Sequence, residues 1–191
     1  MRISREELEG YMKNWDTQTR EMLLERMETR FRRPELEHFS KHEAIILEAA
    51  LNRLIPQHET ERIDLVSFLD WAVGRPLGRG DREEGMPAEE ELFHIGIRGI
   101  EETALRKFTR SFALLTPEEQ DSVLSDIQEG NEGNKKFFAK LLSKSLIGYC
   151  AHPLAWMRMG FPGPAYPEGY VWITQREILQ RRMHFPGWKT F

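Results

Sequence analysis

The stretch NKKFFAKLLSKSLIGYCAHPLAWMRMGFPGP, Asn134 to Pro164, decides the fold class. Phe137, Phe138, Leu141, Leu142, Leu146 and Tyr149 recur at spacings of one, three and four, which sets them on one side of an α-helix in a stripe wide enough to be buried. Pro153 has no amide donor and disfavours helical geometry in the residue before it, so this helix stops near His152. An irregular aromatic run is expected after it, closing on Gly160-Phe161-Pro162-Gly163-Pro164. Cys150 falls on the helix and reads as a small buried hydrophobe.

Upstream, the same periodicity repeats. Ser4 to Phe31 reads as one long amphipathic helix opened by a Ser4/Glu7 capping box, with Leu8, Tyr11, Met12, Trp15, Met22, Leu23, Met27 and Phe31 on its apolar stripe. Glu9 with Lys13 and Asp16 with Arg20 are spaced to pair across its wet face. The stripe is rich in methionine and aromatics, which suits a core and also suits docking on a partner. Ser40 and Glu43 form a second capping box, opening a helix to Leu54 whose Ile45, Ile46, Leu47, Ala50, Leu51 and Leu54 leave it apolar nearly all round and hence central. Helices follow over Asp64–Val73 and Glu89–Phe112, then from Thr116-Pro117-Glu118-Glu119 to Gly130. Gly96 and Gly99 weaken the Glu89–Phe112 helix, which marks close approach of another backbone. Thr174 with Glu177 opens a last short helix to about Met183. Sustained period-two alternation is absent. The expectation is an all-α orthogonal assembly of six or seven helices, one domain over 1–191, with an irregular Pro/Gly/aromatic C-terminal tail.

Chemistry is harder to find. Charged residues make up 30% of the chain with a net charge of −4, and no long basic patch forms, so nucleic acid is not an expected partner. One cysteine excludes an internal disulfide, a Cys-rich zinc site and c-type haem attachment. His38 and His42 have the spacing of a metal pair, but Ser40 as the cap leaves His38 outside the helix and no third ligand is apparent. The 74–87 loop, rich in glycine and arginine, follows no strand and ends in no Gly-Lys-Ser/Thr, so it is not a phosphate loop. There is no His-Glu-x-x-His, no Gly-x-Ser-x-Gly and no dinucleotide glycine fingerprint. His152 is the best lone catalytic candidate, against a role in fixing the loop or contacting a partner. The longest apolar runs fall short of the roughly 18 residues of a membrane span, and no apolar segment follows Met1-Arg2-Ile3-Ser4-Arg5 as in a signal peptide. The chain reads as cytoplasmic, and periplasmic only if co-exported with a partner.

The ordered set Phe137-Phe138-x-x-Leu141, Gly148-Tyr149, His152-Pro153, Trp156 and Gly160-Phe161-Pro162-Gly163 resembles the gluconate 2-dehydrogenase subunit 3 family. The resemblance spans roughly Phe39 to Pro164 and includes FSKHEAIILEAALNRLIP, FLDWAV and SFALLTPEEQDSVLSDIQEG in the family's order. It divides the chain into a 1–33 extension, a 39–164 core and a 165–191 tail. Family members are small non-catalytic subunits of membrane-associated flavoprotein dehydrogenases acting on sugars and sugar acids. The resemblance therefore implies no cofactor in this chain and a large FAD-containing partner of the glucose–methanol–choline type, which passes electrons to a cytochrome c subunit or another acceptor. Relatives carry Tyr-Gly-Gly-Asn and more between His-Pro and the Trp, where this chain has only Leu154-Ala155, and many have an export signal that is not seen here. The residues expected to meet the partner are Tyr149, His152, Pro153, Trp156, Gly160, Phe161, Pro162, Gly163, Tyr166 and Tyr170. Pro153, Pro162 and Pro164 restrict the segment in advance, and Trp156 and Phe161 are the large rigid surfaces that dominate interfaces. The competing reading plugs both rings into this chain's own core. A stand-alone small helical enzyme, or a helical adaptor unrelated to redox chemistry, is the functional alternative.

Overall fold

The computed structural model describes residues 5–13, 15–57, 62–75, 87–161 and 163. Among these the chain is all helical: α1 (Arg5–Tyr11), α2 (Thr17–Phe31), α3 (Lys41–Leu54), α4 (Leu65–Val73), α5 (Glu89–Phe108), a 3-10 turn at Phe112–Leu114, α6 (Pro117–Glu129), α7 (Glu132–Ala151) and α8 (Pro153–Met159). The eight α-helices exceed the expected six or seven for two reasons. The first helix is broken at 12–16, because Asp16 takes extended geometry and its carboxylate accepts the Thr19 amide at 3.0 Å, opening α2 afresh instead of pairing with Arg20. Pro153, expected to lead into an irregular run, begins α8, since the first position of a helix needs no amide donor. Ser4, the 76–86 part of the glycine-rich loop and the expected helix at 174–183 lie outside the described residues.

Capping signals set most remaining boundaries. Ser40 and Glu43, and Thr116 and Glu119, form reciprocal capping boxes at α3 and α6. Helix α5 stops short of Phe112 because Thr109 adopts φ 54°, ψ 24° and its amide closes on the Leu105 carbonyl at 2.9 Å. Phe112 then drops into the core with its backbone held by Glu101 Oε2 (2.9 Å) and Gln120 Nε2 (3.1 Å).

Helices α3, α5, α6 and α7 pack on one another, α4 lies against α7, α2 covers α4, and α1 sits on α8. Leu47, Ala50, Leu69, Phe93, Ile100, Val123, Phe137 and Leu141 are fully buried at the centre. Only part of each apolar stripe is covered. Ile45 and Leu146, expected in the core, are 55% and 44% exposed, and Met22, on the stripe read as suiting a core or a partner, is 40% exposed, because each lies at the edge of a stripe wider than the face its neighbours reach. Cys150 is likewise exposed, not buried.

Two glycines allow the tightest crossings. A Cβ on Gly96 of α5 would lie 2.1 Å from Phe137 Cγ, and one on Gly148 of α7 would lie 2.4 Å from Phe68 Cδ1. The close neighbour at Gly96 is a ring, not the expected backbone. Gly99 is different: the nearest atoms to its Cβ would be 3.8 Å away, an ordinary contact.

A buried carboxylate ties α2, the loop after it, and α4 together. Asp70 Oδ1 accepts the amides of His38 (2.8 Å) and Phe39 (2.9 Å), while Oδ2 accepts the Glu37 amide (2.9 Å) and Arg33 Nη1 (2.5 Å). Asp70 is fully buried, so this nest of donors replaces its hydration.

Two stability outcomes follow from these contacts. Gly96→Ala and Gly148→Ala should each cost about 1–3 kcal/mol by overpacking despite alanine's better helix propensity, whereas Gly99→Ala should be neutral or stabilising by up to about 1 kcal/mol. Urea denaturation of the three variants checks the contrast. Asp70→Asn presents an amide donor to donors and takes the buried anion from Arg33, leaving it the exposed Glu37 carboxylate, so it should lose about 3 kcal/mol in the same assay.

Candidate functional site

The segment from Tyr149 to Gly163 is built around one histidine. His152 ends α7 and caps α8 at φ −93°, ψ 133°, and its Nδ1 accepts the Leu154 amide at 3.2 Å. Its ring meets the edge of Phe31 with centroids 4.8 Å apart. Accepting at Nδ1 requires the neutral ring with its proton on Nε2. Burial pushes the pKa down to about 4, and the positive charges of Arg32 and Arg158 add to the depression. A buried neutral ring with one nitrogen committed to a helix cap is a structural joint. Among the described residues, nothing in its surroundings presents it as a base to an open site.

Beyond Pro153, which is buried, α8 turns Trp156 and Phe161 to the same side. Gly160 closes the helix at φ 67°, and its amide donates to Met157 O (3.2 Å) while the Phe161 amide donates to Trp156 O (2.9 Å), the paired bonds of a Schellman ending. Trp156 Nε1 donates to the Cys150 carbonyl. The Trp156 and Phe161 rings are 5.5 Å apart at 74°, and both are half-buried.

What half-buries them comes from the opposite end of the chain. Trp15 lies 6.1 Å from Trp156 and 5.1 Å from Tyr11, and the Tyr11 hydroxyl donates to the Phe161 carbonyl. Burial raises the Tyr11 phenol pKa to about 12. Gly163, at φ 102°, takes the face of Trp15: a Cβ there would be 2.3 Å from Trp15 Cζ2. So the competing expectation, that Trp156 and Phe161 plug the central core, is replaced by a separate aromatic cluster on α8.

Of the residues expected to meet a partner, the structure brings together Trp156, Gly160, Phe161 and Gly163. His152 and Pro153 lie beneath them as support, and Tyr149 packs against the central core. Pro162, Tyr166 and Tyr170 lie outside the described residues. Tyr11 and Trp15 join the site, which their place on an amphipathic stripe did not disclose. The available signal was the Asp16-Thr17 start, which separates their short helix from α2.

No ordinary catalytic or metal constellation forms elsewhere among the described residues. His38 and His42 diverge, with His38 Nδ1 2.8 Å from Glu90 and His42 Nε2 3.9 Å from Glu101. No group of three His, Cys, Asp or Glu side chains is placed to hold a metal ion there. A cleft of about 390 Å³ opens between α3 and the start of α4, walled by Arg33, Ile45, Glu48, Asn52 and Gln57. Two of its polar walls are already engaged: Arg33 is bound to Asp70, and Gln57 pairs with both backbone groups of Ile63 at 2.8 and 3.1 Å. No helix among the described residues is long and apolar enough to cross a membrane.

Residues 41–163 match the family described as Gluconate 2-dehydrogenase subunit 3, more than half of the chain, with α3 at the start of the match and the Gly160–Gly163 turn at its end. No curated protein and no solved structure matches the chain.

The depressed pKa of His152 has a defined consequence. Below pH 6.5 the unfolded histidine takes up a proton while the folded one stays neutral down to about pH 4, so stability present at neutral pH is lost as pH falls across that window. Going from pH 7 to pH 5 should cost about 2 kcal/mol more in the native chain than in His152→Asn, which keeps a capping side chain without a titrating group. Denaturation midpoints of both proteins at the two pH values measure it.

Proposed function

Because this chain belongs to the gluconate 2-dehydrogenase subunit 3 family, we propose that it is the accessory, non-catalytic subunit of a dehydrogenase complex. In this reading the catalytic partner is a large FAD-containing dehydrogenase of the glucose–methanol–choline type. It oxidises a sugar or sugar acid and passes electrons to a cytochrome or another acceptor. This chain binds and stabilises that subunit and carries no cofactor of its own. The observation that carries the reading is the family match over 41–163, which runs through α8 to the turn that displays Trp156 and Phe161.

The docking face is assigned to Trp156, Gly160, Phe161 and Gly163, continued by Pro162, Tyr166 and Tyr170, with Tyr149, His152 and Pro153 fixing the backbone beneath. Half-buried aromatics on a turn closed by left-handed glycines form a pre-shaped surface, which reduces the ordering cost of association. The shortened Leu154-Ala155 link sends Pro153 directly into α8, so Trp156 is held on a helix by its bond to the Cys150 carbonyl.

The test is co-expression with a large flavoprotein dehydrogenase chain of the glucose–methanol–choline type from the same genome. The two should co-purify, with flavin absorbance following the large chain and this chain colourless when expressed alone. Trp156→Ala should weaken the complex by roughly thirtyfold, beyond any change in the folded fraction. A yellow isolated chain, or a dehydrogenase whose yield and elution ignore this chain, overturns the reading.

A further inference from the structure

We propose that Tyr11, Met12 and Trp15 form an intramolecular cover on the Trp156–Gly163 face, so that a docking partner must displace the chain's own N-terminal segment. The inference rests on the docking reading above. The cover is supplied from outside residues 41–163, the part shared with the family, and it is laid on the last turn of that part. Trp15 stands over Trp156 and fills the space above Gly163, and Tyr11 holds the Phe161 carbonyl. Of the two large rings that a partner would grip, Trp156 is therefore already met by a ring of similar size, and Phe161 is held through its carbonyl.

The hold is thin enough to release. Helix α1 has 7 residues, well below the length at which an isolated helix is stable, so it persists only while it rests on α8. Met12 is buried but stands apart from the continuous core, which begins in sequence at Phe31. Lifting residues 5–15 thus leaves the α3–α7 assembly intact. A closed state held by contacts that include the Tyr11 hydrogen bond and the Trp15 ring reduces the apparent affinity of a partner by the fraction of molecules that are open.

The experiment uses the full chain with two substitutions, Tyr11→Phe, which removes only the donor to Phe161, and Trp15→Ala, which removes the covering ring. Hydrogen–deuterium exchange of the isolated protein reads the opening, and titration with the same large flavoprotein dehydrogenase chain reads the docking. Peptides spanning 5–15 and 153–161 should exchange faster in both variants, with α3 and α6 unchanged, and Tyr11→Phe should bind the dehydrogenase about fivefold more tightly. Faster exchange with unchanged or weaker binding overturns the cover, since the segment is then a spectator or part of the docking face. Unchanged exchange in both variants, with the native chain still binding, removes the cover and keeps the docking reading. Opened variants that capture no dehydrogenase overturn the docking reading, and the cover with it.

Discussion

The Asp70 carboxylate is the contact on which the arrangement of the N-terminal half depends. It sits fully buried on α4 and gathers the amides of Glu37, His38 and Phe39 and the guanidinium of Arg33. These donors lie on the last residues after α2 and the turn into α3, so one side chain fixes how three helices meet. A charge can be kept in such a place only where several donors converge, because a partly solvated carboxylate in an apolar core would cost more than the fold can recover. The turn in turn places Phe39 in the core and leaves Ser40 free to cap α3.

The C-terminal half is organised by α7, and the constraint there is steric. Phe137 fits only because Gly96 has no side chain, and Phe68 fits only because α7 offers Gly148. Phe68 also stacks on Phe31 at 5.1 Å, and Phe31 meets His152, so the Asp70-ordered half and the α7–α8 joint share one line of contacts. The aromatic face on α8 is thereby held from below by buried groups, while α1 and the turn after it meet its outer side. That division of labour suits a surface that keeps its shape whether or not it is occupied.

Much of this was legible locally. The apolar periodicity of 134–151 and 89–108, and the Ser-x-x-Glu and Thr-Pro-Glu-Glu starts, report helices and their ends through interactions that reach no further than four residues. The segment that carries the aromatic face could likewise be named, because proline and glycine punctuate it. The errors share a cause. Helical spacing sets Ile45, Leu146 and Cys150 inward, yet burial is decided by which side of a helix another helix covers. Pro153 read as a stop because proline ends one helix and begins the next with equal ease.

The sequence by itself determined the all-helical class, most helix boundaries, the family and the stretch bearing Trp156 and Phe161, since each rests on short-range backbone chemistry or on an ordered set of residues. Only the tertiary structure decided that Asp70 reaches back 33 residues to the Glu37 amide, that Phe137 enters the gap left by Gly96, and that Tyr11 closes on the Phe161 carbonyl across a separation of 150. Such contacts have no signature in local spacing. Their geometry follows from how every helix packs at once, and a carboxylate or a ring shows its partner only after the chain has brought the two together.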